Sequence, residues 1–284
     1  MSDAIVIERL KKSYPGFSLQ PLDLTLPEGC VLGLVGENGA GKSTLIQLMM
    51  DAIPRDGGSV RLLGVDNQSP AFQRCKEEIG VVLDEAYFPA VLNARQVGRI
   101  MAATYHSWEP ERYEQWLKRF HLPEDKAFKD FSRGMRMKLA IAVALSHQAK
   151  LLLLDEATGG LDPLAREEIL DILNDFTRED GHSILLSSHI VSDLEKICDY
   201  IAVLHQGKLL FCQEKDRLLE EYALVQLSAE EAGALPEGAV LGRKETPYGV
   251  RLLVRRSEVS PAFPLERTTL EEIILFMTKG EEKA

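Results

Sequence analysis

Residues 36 to 44 read GENGAGKST, and no other stretch constrains this chain so strongly. The pattern G-x-x-x-x-G-K-[ST] follows the apolar run Val31-Leu32-Gly33-Leu34-Val35 and precedes a helical pattern starting at Ser43. A strand feeding a glycine-rich turn that opens a helix is a cradle for phosphate. Gly36, Gly39 and Gly41 let the backbone wrap closely, so that loop amides and the helix N-terminus point at anionic oxygens. Lys42 is placed to reach the β- and γ-phosphates of a nucleotide, and the Ser43 hydroxyl to sit on Mg²⁺. Glu37, Asn38, Ala40 and Thr44 complete the loop and are expected in the same site. Chance supplies this pattern in a chain of such length on the order of 1% of the time, with glycine at about 7% of residues.

A second element is Leu151 to Glu156, LLLLDE, an apolar run ending in two carboxylates. Alone, such a pair reads best as a solvated strand end. Beside a phosphate loop it reads as Asp155 helping to hold Mg²⁺ and Glu156 orienting or deprotonating the attacking water.

The rest of the chain fits an α/β architecture. Cys30 to Val35, Ile79 to Leu83, Leu151 to Leu154, Ile184 to Leu186 and Ile201 to Leu204 are short apolar runs, the mark of strands buried on both faces. Helical spacing of apolar residues lies between them, at Ser43 to Asp51, Arg95 to Thr104, Glu111 to Phe120, Arg133 to His147, Leu164 to Arg178 and Val191 to Cys198. From about Tyr87 to His147 the chain is helical and poor in strands, an insertion on one edge of the core. After about Asp216 the pattern changes to short β-prone runs, Tyr222 to Leu227, Ala239 to Gly242 and Val250 to Val254, with a turn at Thr246-Pro247-Tyr248-Gly249. Thr268 to Thr278 then reads as a helix capped by Thr268 or Thr269 and ended by Lys279-Gly280.

Charge narrows the partners. Against 44 acidic residues there are 33 basic ones, a net −11, which disfavours a nucleic-acid binder needing a basic field. No stretch approaches the ~20 apolar residues of a membrane span, and MSDAIVIERL lacks the marks of a signal peptide. A soluble cytosolic chain is expected. Cys30, Cys75, Cys198 and Cys212 are scattered without metal spacing and are expected as reduced thiols.

Taken in order, the phosphate loop, FSRGM at Phe131 to Met135, LLLLDE, GGLDP at Gly159 to Pro163 and Ser187-Ser188-His189 resemble the nucleotide-binding subunit of an ATP-binding cassette (ABC) transporter. The resemblance covers about residues 1 to 215. It implies a P-loop NTPase core, a mostly parallel sheet with an antiparallel β subdomain and a helical subdomain at about 87–147. Residues 216–284 are then a small α+β C-terminal accessory domain.

The resemblance also implies that two ATPase subunits sandwich two ATP molecules, each site joining the phosphate loop of one subunit to the signature motif of the other. Carried over residue by residue, Tyr14 matches the aromatic that stacks on adenine. Ser132 and Gly134 match the signature that meets the γ-phosphate. Asp162 matches the loop that contacts the partner site, and His189 the switch histidine that positions water.

Four positions depart from the family. Arg133 replaces a glycine, Met135 a glutamine and Gly159 a serine. Arg133, a cation at a helix N-terminus, is expected to strengthen the contact to the partner's ATP, with an ordinary arginine exposed to solvent as the other reading. Asp84 stands where a glutamine is usual and is expected to contact Mg²⁺ or the attacking water.

FSRGMRMKLAIAVALSH, SSHIVSDLEKICDYIAVLHQGKL and the closing TLEEIILFMTKGE are similar to ATPase subunits of type-two ABC exporters near the YtrB-like branch. That implies ATP and Mg²⁺ as ligands, a separate transmembrane permease and a second ATPase subunit, homo- or heteromeric, as partners. It also implies a position on the cytoplasmic face of the membrane. Tyr87, Phe88, Pro89, Val91 and Leu92 are a candidate patch for the permease, with ordinary core packing as the other reading. A soluble non-transport ABC ATPase and a nucleotide-gated regulatory module remain the alternatives.

Overall fold

A computed structural model describes residues 2–84, 88–260 and 262–281. The chain opens with a hairpin, β1 (Asp3–Tyr14) and β2 (Phe17–Pro27). Its alternating residues Ile5, Ile7, Leu22, Leu24 and Leu26 are buried, as the period of two in a strand dictates. β3 (Val31–Val35) then runs straight into the phosphate loop and α1 (Lys42–Met49). β4 (Gly57–Leu62) and β5 (Val65–Asp66) return to extend the hairpin into a four-stranded sheet of order β2-β1-β4-β5, antiparallel throughout.

After α2 (Phe72–Cys75) and β6 (Ile79–Val82) comes the helical part, α3 (Ala94–Thr104), α4 (Pro110–Arg119) and α5 (Arg133–Ala144). The start of α3 is set by a capping box: Asn93 accepts from the Gln96 amide while Gln96 accepts from that of Asn93. The chain returns through β7 (Leu151–Asp155), α6 (Pro163–Phe176), β8 (Ser183–Ser188), α7 (Val191–Ile197), β9 (Tyr200–His205) and β10 (Lys208–Glu214). The central sheet has order β10-β9-β3-β8-β7-β6, and all its pairs are parallel except β10 on β9.

Both faces of that sheet are covered, which is why its strands are apolar without alternation. Leu151 and Leu153 of β7 join Leu32 and Leu34 of β3 in a core shared with α1 and the antiparallel sheet. Leu152 and Leu154 point the other way, into a core shared with α5, α6 and the helical part.

Beyond β10 the chain forms α8 (Lys215–Glu221), β11 (Tyr222–Leu227), α9 (Ala229–Gly233), β12 (Val240–Thr246), β13 (Gly249–Arg255) and α10 (Leu270–Glu281). The three strands make an antiparallel sheet of order β11-β13-β12. Its faces part company: Ala223, Val225 and Val254 belong to a small core of their own, while Leu224 and Leu253, with Ile273 of α10, merge with the larger core of the ATPase part. α10 begins at a capping box of Thr269 and Glu272 and runs through Gly280 to Glu281, past the stop read from Lys279-Gly280.

The apolar patch expected after Asp84 is also revised. Tyr87 lies outside the described residues. Phe88 packs edge-on against Phe128 at 5.5 Å and Leu92 joins the core, because two large apolar side chains bury more area inward than outward. Pro89 and Val91 are left outside, Val91 76% exposed.

Candidate functional site

The C-terminal ends of β3, β8 and β7 lie side by side, and each delivers a candidate residue. From β3 comes the loop Gly36–Thr44. It is seated tightly: a Cβ on Gly36 would fall 2.4 Å from the Leu204 carbonyl of β9, and one on Gly41 would fall 2.8 Å from the Phe17 ring. Gly39 and Gly41 have φ of +84° and +110°, open to glycine at little cost. Gly41 is the N-cap of α1 and supplies no capping side chain, so the first amides of α1 remain free for an anion. Glu37, Asn38, Gly39 and Ser43 are exposed at the rim, whereas Ala40 and Lys42 are buried and Thr44 is half-buried.

Lys42 folds back on oxygen. Its Nζ donates to the Gly36 carbonyl at 2.6 Å and the Glu37 carbonyl at 3.3 Å, and stands 3.1 Å from Glu156 Oε1. Glu156 in turn meets His189 Nδ1 through Oε2 at 2.7 Å. Against a carboxylate acceptor Nδ1 is the donating nitrogen. Glu156 is 9% exposed and has φ of +51°, a left-handed conformation that costs a non-glycine residue about 1–3 kcal/mol. Its amide donates to the Ser187 carbonyl at 3.1 Å and its carbonyl accepts from Gly159 at 2.9 Å, which hold the turn.

Asp155, the last residue of β7, pairs in register with Ser187 of β8, and the Ser187 hydroxyl donates to Asp155 Oδ1 at 2.5 Å. That bond orients the carboxylate and leaves Oδ2 available. Among the described residues no three His, Cys, Asp or Glu side chains gather into a metal-holding group. The donors that are present, a Ser43 hydroxyl and the Asp155 carboxylate, are hard oxygens of the kind Mg²⁺ takes when phosphates and waters complete its shell.

A second group gathers at the N-termini of α5 and α6. Ser132 caps α5, accepting from the Met135 amide at 3.2 Å, and Asp162 caps α6, accepting from Ala165 at 3.0 Å. Gly134 faces Leu161. Asp84 meets this group: Arg133 donates to its Oδ1 at 2.8 Å. The cause is the uncompensated cation at the start of α5, for which Asp84 is the counterion. Tyr14 ends β1 opposite Phe17, 42% exposed, with Lys12 Nζ 5.2 Å over its ring. Among the described residues no hydrogen bond or ion pair joins a side chain of the second group to Lys42, Glu156 or His189.

Ser187 as the orienter of Asp155, Phe17 against Gly41, and Arg133 on Asp84 are contacts not read from sequence. A signal existed for the first: Ser187 is fully buried and follows the aliphatic run Ile184-Leu185-Leu186, where a hydroxyl needs a partner.

The model of the ABC transporter family matches residues 19–159. The chain is 35% identical over 214 residues to the bacitracin transport ATP-binding protein BcrA of Enterococcus faecalis, covering 74% of this chain and 69% of that protein. To the ABC transporter ATP-binding protein YtrB of Bacillus subtilis it is 28% identical over 225 residues, covering 79% and 76%. The solved structure of cbiO1 from Clostridium perfringens, part of the ABC transporter complex cbiONQ, superposes with a TM-score of 0.64 at 26% identity over 78% of this chain and 92% of that one. Motif order, sheet topology and these relatives agree, and the chain belongs to the ABC transporter family as an ATP-binding, ATP-hydrolysing subunit.

Proposed function

We propose that the site is shared between two ATPase subunits that close around ATP, and that closure and reopening drive a separate membrane permease. One observation carries this: the chain presents two incomplete halves, Lys42 with Glu156 and His189, and Ser132 with Gly134 and Asp162. ATP phosphates take the amides of Gly39, Gly41 and α1. Lys42 exchanges two carbonyls and Glu156 for the β- and γ-phosphate oxygens, and Tyr14 stacks on the base. Ser43 and Asp155 would hold Mg²⁺, whose charge would offset that of the phosphates. Glu156, freed of Lys42 and steadied by His189, accepts the proton of the attacking water. Ser132, Gly134 and Asp162 serve the site of the other subunit, and closure driven by ATP binding is the work stroke.

Residues 1–215 are the working cassette in this reading, and 216–284 an accessory unit resting on it. The subunit works at the cytoplasmic face of the membrane, since it acts through a membrane protein, and Pro89 and Val91 are the exposed remnant of its docking patch. Likeness to a bacitracin transport protein favours export.

Mixing tests the shared site. Copies carrying Lys42→Ala and copies carrying Ser132→Arg are each expected to be inactive alone. Equal mixing restores phosphate release if sites are shared, because one interface then carries neither lesion. A mixture as inactive as its components would refute the reading.

A further inference from the structure

Arg133 is the first residue of α5, where a cation stands against the helix dipole. Its Nη2 donates to Asp84 Oδ1 at 2.8 Å across 49 positions of sequence. The guanidinium also lies on Gly160, where φ is +69° and a Cβ would meet Nη1 at 2.9 Å and Cζ at 3.0 Å. One side chain therefore ties together the chain just past β6, the signature end of α5 and the loop that follows Glu156. Both partners stay open to solvent, 57% and 49% exposed. An ion pair so open is weak and exchanges readily for another anion.

We propose that Asp84 is a positioning residue for Arg133. In the ATP-free chain it parks the guanidinium over Gly160, and closure hands Arg133 from the Asp84 carboxylate to the γ-phosphate held by the other subunit. This rests on the shared-site reading above. Asp84 competes with nucleotide for Arg133, so it sets the ATP concentration at which the subunits close and takes no part in the chemistry. Arg133 is neutralised before and after the exchange, first by a carboxylate and then by phosphate.

The test follows ATP-driven association of the full chain carrying Glu156→Gln, by light scattering across ATP concentration. Four backgrounds are compared: no further change, Asp84→Asn, Arg133→Gln, and both together. Asp84→Asn is expected to lower the ATP midpoint about two- to fivefold, the range of an exposed ion pair. Arg133→Gln is expected to raise it, and adding Asp84→Asn to Arg133→Gln to change nothing more. A higher midpoint with Asp84→Asn, as loss of a metal ligand would give, overturns the proposal. So does an equal shift with and without Arg133, or no shift at all. Failure of the Glu156→Gln chain to associate at any ATP concentration overturns the shared site itself, and the exchange with it.

Discussion

Glu156→Gln separates chemistry from binding in a way this geometry quantifies. The carboxylate stands between Lys42 at 3.1 Å and His189 at 2.7 Å, with Lys42 only 6% and Glu156 11% exposed at the side chain. Glutamine keeps the shape and removes the base, so turnover should fall by about 10²–10⁴, the usual worth of a positioned acid or base. Binding should move the other way. In the ATP-free chain Glu156 holds Lys42 away from phosphate as an ion pair at 3.1 Å, and a close charge pair of this kind contributes about 1.5–7 kcal/mol. A glutamine carbonyl still accepts from Lys42 and retains part of that. The remainder, about 1.4 kcal/mol, corresponds to roughly tenfold tighter ATP. Phosphate release at saturating Mg·ATP gives the first quantity and calorimetric titration with ATP the second. Turnover within about tenfold of native, or ATP bound more weakly than by the native chain, would refute the placement of Glu156 as base and as competitor for Lys42.

Other consequences follow from the same contacts. Ser187→Ala strips Asp155 of its buried donor and should lower stability by about 1–3 kcal/mol, read from the urea midpoint, while raising the Mg²⁺ concentration needed for half-maximal turnover. Gly36→Ala would drive a Cβ to 2.4 Å from the Leu204 carbonyl, so ATP binding measured by titration should be lost even where circular dichroism reports a folded chain. His147 is 2% exposed, stacked on Tyr105 at 4.1 Å and bonded through Nδ1 to the Glu77 carbonyl, and burial holds its pKa below the ordinary value of 6.5. The unfolded chain therefore binds the extra proton first, and stability should be full above about pH 6.5 and fall as pH drops below it. Comparison of urea midpoints at high and low pH should show that loss in the native chain and a flatter profile in His147→Phe.

Much of this was legible in the chain because it is local. GENGAGKST states its own conformation, since glycine at 39 and 41 is what positive φ selects and a lysine next to a helix start is what phosphate selects. The runs Val31–Val35 and Leu151–Asp155 announce buried parallel strands by lacking alternation, and their polar ends announce the site. Phe88 and Leu92 were harder, because an apolar cluster has the same composition whether it faces a partner or its own core, and here Phe128 decided.

The sequence by itself determined which residue types stand together in the phosphate loop and at the end of β7, because that depends on short spacing alone. Only the tertiary structure decided what those groups touch. Strand register set Ser187 beside Asp155. The return of α5 to the end of β6 set Arg133 on Asp84. Both contacts join segments far apart in the chain, where no local periodicity carries information and only the packing of helices on a common sheet fixes which side chains meet.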